Sequence, residues 1–141
     1  MSLAFAEPIM TYNRFELNPN FKNDGQGLSA ELHFHHTLNR LEGAKEATVA
    51  LRLQINQKQD ERLEDAPFWL EVEYAAQFMW QEDMTPKEIE QLLRINASAV
   101  LIGYIRPMVS IMTSSSPLPT YNLPFINVND LFGAQKADTS L

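Results

Sequence analysis

Hydrophobic and polar residues alternate along most of the first half of the chain. The clearest run lies between residues 30 and 38, where apolar positions alternate with Glu31, His33, His35 and Thr37. The same alternation occupies residues 47–56 and 68–81, and a weaker form occupies residues 10–17. Because side chains point alternately to the two faces of a pleated strand, this period predicts four β-strands.

Polar stretches separate these predicted strands. They centre on Gly25–Gly27, on Glu42 and Gly43, and on residues 57–66. Short polar turns favour the pairing of consecutive strands. The sequence therefore predicts a four-stranded antiparallel meander over residues 1–81, with one face of the sheet covered.

After Trp80 the hydrophobic period becomes that of a helix. Thr85, Pro86 and Glu88 form the pattern of a helix start, in which a threonine cap and a glutamate three residues later make a capping box. The helical spacing predicts one long helix over residues 85–113. Pro107 predicts a kink or break within it, because proline removes an internal hydrogen bond. Together these elements predict a single α+β domain over residues 1–141.

The second half of the predicted helix, from Ala97 to Met112, is apolar nearly all round. A helix without a polar face is buried on both sides, and one sheet covers only one of them. The sequence therefore predicts a homo-oligomer, in which another copy of the chain covers the second side. Arg106 and Pro107 interrupt this stretch, and it is shorter than a membrane span, so we expect no stable membrane insertion.

Composition narrows the class of protein further. The 141 residues include 18 acidic and 11 basic side chains, for a net charge of −7. We expect no nucleic-acid partner, because contact with phosphates needs a basic surface. The sequence contains no cysteine, which excludes disulfides and thiolate metal sites, and it begins without the pattern of a signal peptide. These features favour a cytoplasmic protein.

Negative charge is concentrated between residues 60 and 90, which include ten acidic and two basic side chains. This stretch is either an ordinary solvated face or a docking surface for a basic partner. Trp69 lies on the polar face of the fourth predicted strand, beside Glu71 and Glu73. A large aromatic residue there is either packed under a loop or an anchor for an interaction.

The three histidines suggest a metal site as one interpretation. Alternation places His33 and His35 on one strand face beside Glu31, and two imidazoles with a carboxylate could hold zinc. The sequence shows no further ligand cluster, and polar residues on a strand face are the simpler interpretation. It also shows no phosphate-binding loop and no nucleophile elbow. We therefore expect no enzymatic activity, no metal and no cofactor.

The stretch from Ser114 to Phe132 is apolar and contains Pro117, Pro119 and Pro124. It either covers one end of the core or forms a stiff apolar wall beside a groove. Prolines suit a wall, because they reduce the entropy that a segment loses when it is ordered. We expect a connecting loop over residues 114–126 and a short last helix over residues 127–136.

A resemblance to a known family is clearest from Ile89 to Phe132, which includes the run LIGYIRPMVSIMTSSSPLPTYNLPFINVNDLF. This run resembles the long helix, the proline-rich helix-connecting loop and the start of the last helix, N-F-x-x-L-[YF], in the SecB family of export chaperones. Two upstream runs, PFWLEVEYAAQF and NRFELNPN, are similar to the fourth and first strands of that family. The chain departs from the family at residues 102–107, where the family usually has Phe-Pro-Tyr-Ala-Arg-Glu, and in its short, near-neutral tail.

The resemblance implies an ATP-independent holdase that assembles as a tetramer, a dimer of dimers. Such a protein binds unfolded preproteins in apolar grooves and hands them to the SecA translocation motor. On this basis we predict docking to the motor by Trp69, Glu71 and Glu73. The predicted client-binding residues are Leu118, Tyr121, Leu123, Phe125, Ile126, Leu131 and Phe132. The alternative is a SecB-fold protein dedicated to one client, such as a toxin–antitoxin partner.

Overall fold

The computed structural model describes residues 3–22 and 30–132, and most of its strands form one antiparallel sheet. The strands in chain order are β1 Ala4–Phe5, β2 Ile9–Leu17, β3 Leu32–Asn39, β4 Glu46–Ile55, β5 Gln57–Lys58, β6 Glu61–Arg62 and β7 Phe68–Met79. The four long strands, β2, β3, β4 and β7, are those that the alternation predicts. The prediction from period is therefore confirmed for each of them.

The order across the sheet is β2, β7, β4, β3, with β1 also pairing with β7. Strands β3, β4 and β7 pair in succession, as in the predicted meander. Strand β2 pairs with β7 instead of β3, so this detail of the prediction is corrected to a Greek-key order, in which the first strand lies beside the last. Alternation identifies a strand but not its partner. The turn predicted at Gly25–Gly27 lies outside the described residues.

The long connection between β4 and β7 contains structure that the polar pattern did not predict. Strands β5 and β6 form a small hairpin, in which Gln57 pairs with Arg62 and Lys58 with Glu61. Gln59 at its turn has a positive φ of 55°. The side chains of Asn56, Gln57 and Arg62 in this connection donate hydrogen bonds to β7 or β2, so the connection is folded onto the sheet.

One long helix, Pro86–Ser114, follows the sheet. It consists of α1 (Pro86–Gln91), a π-helical turn (Leu92–Asn96) and α2 (Ala97–Ser114). The predicted capping box is confirmed, because the Glu88 N–H donates to Thr85 Oγ1 at 3.2 Å and the Thr85 N–H donates to Glu88 Oε1 at 2.9 Å. The helix continues through Pro107 without the predicted break, and its irregular part is the π-helical turn.

The core lies between one face of the sheet and this helix. Val49, Leu51 and Leu53 of β4 are fully buried, as are Leu101 and Ile105 of α2. The strand residues are apolar positions that the alternation predicts, so burial follows the pattern in the sheet.

In the helix, the spacing that continues from Leu92 predicts Ala99 and Gly103 on the buried side, but both are exposed. The π-helical turn explains this difference, because its wider turn shifts the buried face of α2 to Leu101 and Ile105.

The other side of α2 is apolar but open in the single chain. Ile111 is 58% exposed, and Tyr104 and Pro107 are also exposed. By length and composition alone the 29-residue helix could cross a membrane, so the expectation that the stretch is too short is not met. Its buried positions pack on the sheet, as in the core helix of a globular domain.

Residues 115–127 return from the end of α2 without pairing as a strand, and α3 (Val128–Phe132) follows them. This arrangement confirms the start of the predicted last helix within one residue. The predicted extension of that helix to residue 136 lies outside the described residues.

Candidate functional site

Three polar side chains of α2 hold the proline-rich segment. Arg106 Nη1 donates to the carbonyl oxygens of Leu123 and Pro124, the latter at 3.1 Å. Ser110 Oγ donates to Asn122 Oδ1 at 2.8 Å, and the Tyr121 N–H donates to Thr113 Oγ1 at 2.9 Å. Residues 106, 110 and 113 are spaced by four and three positions, so they share one side of the helix.

We call Arg106, Ser110 and Thr113 the polar ridge. The bonds of the polar ridge to the segment explain why polar residues occur in a helix that is otherwise apolar nearly all round. Their bonds fix residues 121–124 of the segment along the helix, so the path of the segment depends on hydrogen bonds as well as on its apolar side chains. No local pattern indicates this pairing, because Arg106 and its acceptors are 17 and 18 positions apart.

The predicted client-binding residues of this segment divide by burial. Leu123 is only 4% exposed and belongs to the core. Phe125, two positions later, is 86% exposed. The partly buried residues pack against the edge of the core and are Leu118, Tyr121, Ile126 and Leu131. The side chain of Phe132 lies outside the described residues.

Tyr121 illustrates the anchoring role within this set. Its ring centroid lies 6.3 Å from that of Phe68 in β7, and burial raises the pKa of its hydroxyl. Tyr121 therefore helps to attach the segment to the sheet. Phe125 is the residue of the segment that the structure leaves most available for a ligand.

The second predicted site, on the opposite face of the sheet, is covered in part by the β4–β7 connection. The Trp69 indole N–H donates to the Leu63 carbonyl at 2.9 Å, and the Arg62 guanidinium lies 4.4 Å from the centroid of its ring. Arg62 also bonds both carboxylate oxygens of Glu16 at 3.0 Å. Of the two interpretations of Trp69, the geometry favours packing under a loop.

Glu71 and Glu73 are held by a shared arginine. Arg52 Nη1 lies 3.4 Å from Glu71 Oε2, and Arg52 Nε donates to Glu73 Oε2 at 3.1 Å. Glu71 is only 6% exposed and accepts a second bond, at 3.1 Å, from Gln57 Nε2. Glu71 therefore presents little of its charge to a partner, because a carboxylate this deep needs internal partners, and its docking role stays a prediction.

A shallow polar depression of about 410 Å³ lies over these residues. Its lining is of mixed charge and includes Arg14 and Arg52 as well as Asp60 and Glu71. From Asp60 an exposed group of negative charges continues along the β4–β7 connection through Glu61, Glu64 and Asp65. An acidic surface therefore exists near the predicted one, but loop residues form it.

The three histidines make separate contacts. His33 Nε2 lies 2.6 Å from Glu31 Oε1, and His35 Nε2 lies 3.1 Å from Gln54 Oε1. His36 lies on the core face and contacts the helix, where its Nε2 is 2.9 Å from the Leu93 carbonyl. Within residues 3–22 and 30–132, no three His, Asp or Glu side chains are grouped as metal ligands.

His36 makes a contact with the long helix that the alternating pattern of its strand did not indicate. Burial lowers the pKa of its imidazole, and the nearby Arg94 acts in the same direction. The carbonyl that it contacts belongs to the π-helical turn Leu92–Asn96. His36 therefore connects strand β3 to the irregular part of the long helix.

Comparison with known proteins agrees with the fold and with the segment described above. A sequence model described as "Preprotein translocase subunit SecB" matches residues 18–139. The chain belongs to the SecB family. The match includes β3, β4, β7, the long helix and the proline-rich segment, so the resemblance stated from the sequence is confirmed.

Two further proteins are similar to this SecB-family chain. It is 28% identical over 128 residues to the uncharacterised protein MJ0357 of Methanocaldococcus jannaschii, covering 90% of this chain and 80% of that protein. Its fold is similar to that of the Mycobacterium tuberculosis SecB-like chaperone Rv1957, solved in complex with a ChAD peptide from the HigA1 antitoxin. That comparison has a TM-score of 0.68 and 19% identity, over 88% of this chain and 90% of the other.

Proposed function

We propose that this SecB-family protein is an ATP-independent holdase for unfolded polypeptides, including preproteins. The observation that supports this most directly is Phe125, a large apolar side chain that is 86% exposed on an anchored segment. Burying a phenylalanine side chain contributes about 1.5–3 kcal/mol. A client that covers Phe125 gains this free energy, and the segment is already ordered by the polar ridge.

The chemistry of the segment fits a broad range of clients. Leu118, Tyr121 and Ile126 are only partly buried, so part of their apolar surface also faces solvent. Burial of apolar area is non-directional, so such a surface binds many sequences without recognising one. The bound antitoxin peptide of the SecB-like neighbour supports a polypeptide as the ligand class.

A SecB-fold protein dedicated to one client is the second candidate. The same neighbour supports it, because its bound peptide comes from one antitoxin. The pairing of Glu71 and Glu73 with Arg52 also favours this candidate, since it removes free charge from the predicted motor surface. For any contact with a SecA motor we propose the exposed acidic residues of the β4–β7 connection. We propose the cytoplasm as the compartment, in keeping with a sequence that contains no cysteine.

Aggregation assays test the main proposal. A chemically denatured, unrelated enzyme is diluted into buffer, and light scattering is followed with and without this protein. We expect near-stoichiometric amounts to suppress scattering, and Phe125→Ala to suppress it several-fold less with an unchanged melting temperature. Leu41→Ala is the matched control, because Leu41 is 78% exposed but lies in the β3–β4 turn.

The outcomes separate the candidates. If this protein suppresses scattering for several unrelated enzymes, the general holdase is supported. If it suppresses scattering for none of them, the general holdase is contradicted, and the protein dedicated to one client remains. If Phe125→Ala and Leu41→Ala both suppress scattering as well as the unchanged chain does, the proline-rich segment is a cover for the core and not a client surface.

A further inference from the structure

The polar ridge suggests how Phe125 comes to face solvent while Leu123 faces the core. The two residues are two positions apart, and the Arg106 guanidinium bonds the carbonyl oxygens of Leu123 and Pro124 between them. Bonds to two successive carbonyls fix the orientations of the two peptide units on either side of Pro124. The direction in which the next side chain leaves the backbone is then fixed as well.

Arginine is suited to this contact. Its guanidinium is planar, always charged and presents several donors in a rigid fork. In addition, Arg106 is partly buried and has the long aliphatic stem that lets an arginine pack along apolar surface. A lysine has a similar stem and the same charge, but it presents its donors from a single point.

We infer that Arg106 is a positioning residue for client binding: it orients the peptide units on either side of Pro124 so that Phe125 is presented to the client. This inference rests on the proposed function, because Phe125 must be part of the client surface for its orientation to matter. Arg106 itself need not touch the client. Its loss then weakens binding by releasing Phe125, while the apolar residues of the segment are unchanged.

Other contacts of the segment support a specific role for Arg106. Tyr121 and Asn122 are tied by Thr113 and Ser110, and Leu123 is buried in the core. These contacts hold the part of the segment that precedes Phe125. The Pro124 carbonyl accepts a hydrogen bond from Arg106, so Arg106 contacts the residue directly before the exposed phenylalanine.

The test compares Arg106→Met with Arg106→Lys. Methionine retains an apolar stem without donors, and lysine retains the charge with a single donor group. Arg94→Met is the matched control, because Arg94 lies on the same long helix and forms an exposed ion pair with Glu90 at 3.1 Å. Each variant is made in the full chain, alone and with 4-fluorophenylalanine at position 125.

Two measurements are made on each variant. One is the Kd for a fluorescein-labelled, 20-residue unfolded peptide rich in leucine and phenylalanine, measured by fluorescence anisotropy. The other is the fluorine line width at position 125 in the protein without peptide. We expect Arg106→Met to bind about three- to tenfold more weakly, the effect of one typical net hydrogen bond. We also expect its fluorine line to narrow, as the ring becomes more mobile.

A positioning role predicts a graded result. Arg106→Lys should lie between the unchanged chain and Arg106→Met in both measurements, and Arg94→Met should match the unchanged chain. A purely structural role for Arg106 would lower the melting temperature without changing the fluorine line or the Kd of the folded fraction.

Failure of this inference differs from failure of the proposed function. If Phe125→Ala weakens peptide binding but Arg106→Met changes neither Kd nor line width, the positioning role is overturned and the holdase stands. If Phe125→Ala leaves Kd unchanged, Phe125 is not part of the client surface, and both the positioning role and the segment's proposed function are overturned. Should Arg106→Met fold too poorly to measure, the comparison of Arg106→Lys with the unchanged chain decides the same point.

Discussion

Individual residues in this protein have roles that depend on a few bonds across long sequence distances. Arg52 pairs with Glu71 and Glu73 of the neighbouring strand, and Arg106 bonds to a segment 17 residues later. His36 connects a strand to the helix that covers it. In each case a polar or charged side chain bonds to one specific partner. Burial of apolar surface is non-directional and would not by itself select that partner.

Glu71 provides a direct test of burial against docking. Glu71→Lys places a second positive charge beside Arg52 at a site that is 6% exposed, so we expect it to lower the free energy of unfolding by about 3 kcal/mol or more. Glu61→Lys, on the exposed connection, should change it by less than about 0.5 kcal/mol. Urea denaturation of both variants measures this.

The proposed contact with a SecA motor can then be tested with substitutions of the exposed acidic residues alone. If Glu71→Lys is as stable as Glu61→Lys, Glu71 is a surface charge after all, and the docking role first predicted for it regains its basis.

His36 predicts a pH dependence of stability. Burial lowers the folded-state pKa of its imidazole below the ordinary value of 6.5, so below that value the unfolded chain binds the proton more readily. The free energy of unfolding should therefore fall as pH drops from about 6.5 towards the folded-state pKa, and level off below it. The carboxyl pKa values of Glu16 and Asp83 are lowered by neighbouring cations. Their protonation should therefore lower the free energy of unfolding further in a more acidic range.

His36→Gln isolates this contribution, because an amide N–H can still donate to Leu93 but does not titrate. Urea denaturation between pH 7.5 and pH 5 should show a smaller loss of stability in His36→Gln than in the unchanged chain. Equal pH profiles for the two proteins would show that His36 does not contribute to the acid sensitivity.

At the scale of elements, the strands and helix form where local chemistry specifies them. The alternation of β4 matches its buried positions, and the capping box fixes the start of the long helix at Thr85. The helix also tolerates Pro107, which lies on its exposed side. Its departure from α-helical geometry occurs instead at Leu92–Asn96, where β3 supplies the contact from His36.

The capping box makes a quantitative prediction for the helix start. Thr85→Ala removes the hydroxyl that accepts the Glu88 N–H, and we expect a loss of about 1 kcal/mol in the free energy of unfolding. Thr85→Ser keeps the hydroxyl and should lose much less. Guanidinium denaturation followed by helical circular dichroism measures both, and an equal loss in the two variants would mean that the cap contributes little.

At the scale of the whole molecule, the single chain leaves one side of its core helix open. The sheet covers Leu101 and Ile105, while Tyr104 and Ile111 remain exposed on the helix. An apolar helix face of this kind favours association with another apolar surface. We therefore retain the prediction of a homo-oligomer, with a dimer of dimers as its expected form.

Ile111→Lys tests this assembly. The substitution introduces a charge at a site that is 58% exposed in the single chain, so we expect smaller particles with little loss of helical circular dichroism. Gln91→Lys adds the same charge at an exposed position of α1 and should leave particle size unchanged. Multi-angle light scattering at micromolar concentration decides, and a stable monomer of the unchanged chain would contradict the prediction.

The sequence by itself determined the main elements of this protein and the buried faces of its long strands. The two hydrophobic periods act between near neighbours, so they identify the four long strands and the helix without knowledge of the fold. The run from Leu101 to Phe132 also sufficed to indicate the SecB family, which the match over residues 18–139 confirms.

Only the tertiary structure decided which elements and side chains meet. It placed β2 beside β7, buried Glu71 against Arg52, turned Leu123 inward and left Phe125 exposed. These outcomes depend on contacts between residues far apart in the chain. An alternating or helical pattern records only which face of an element is apolar, and the proline-rich segment has no period at all, so the direction of its side chains is set by the surface that it lies on.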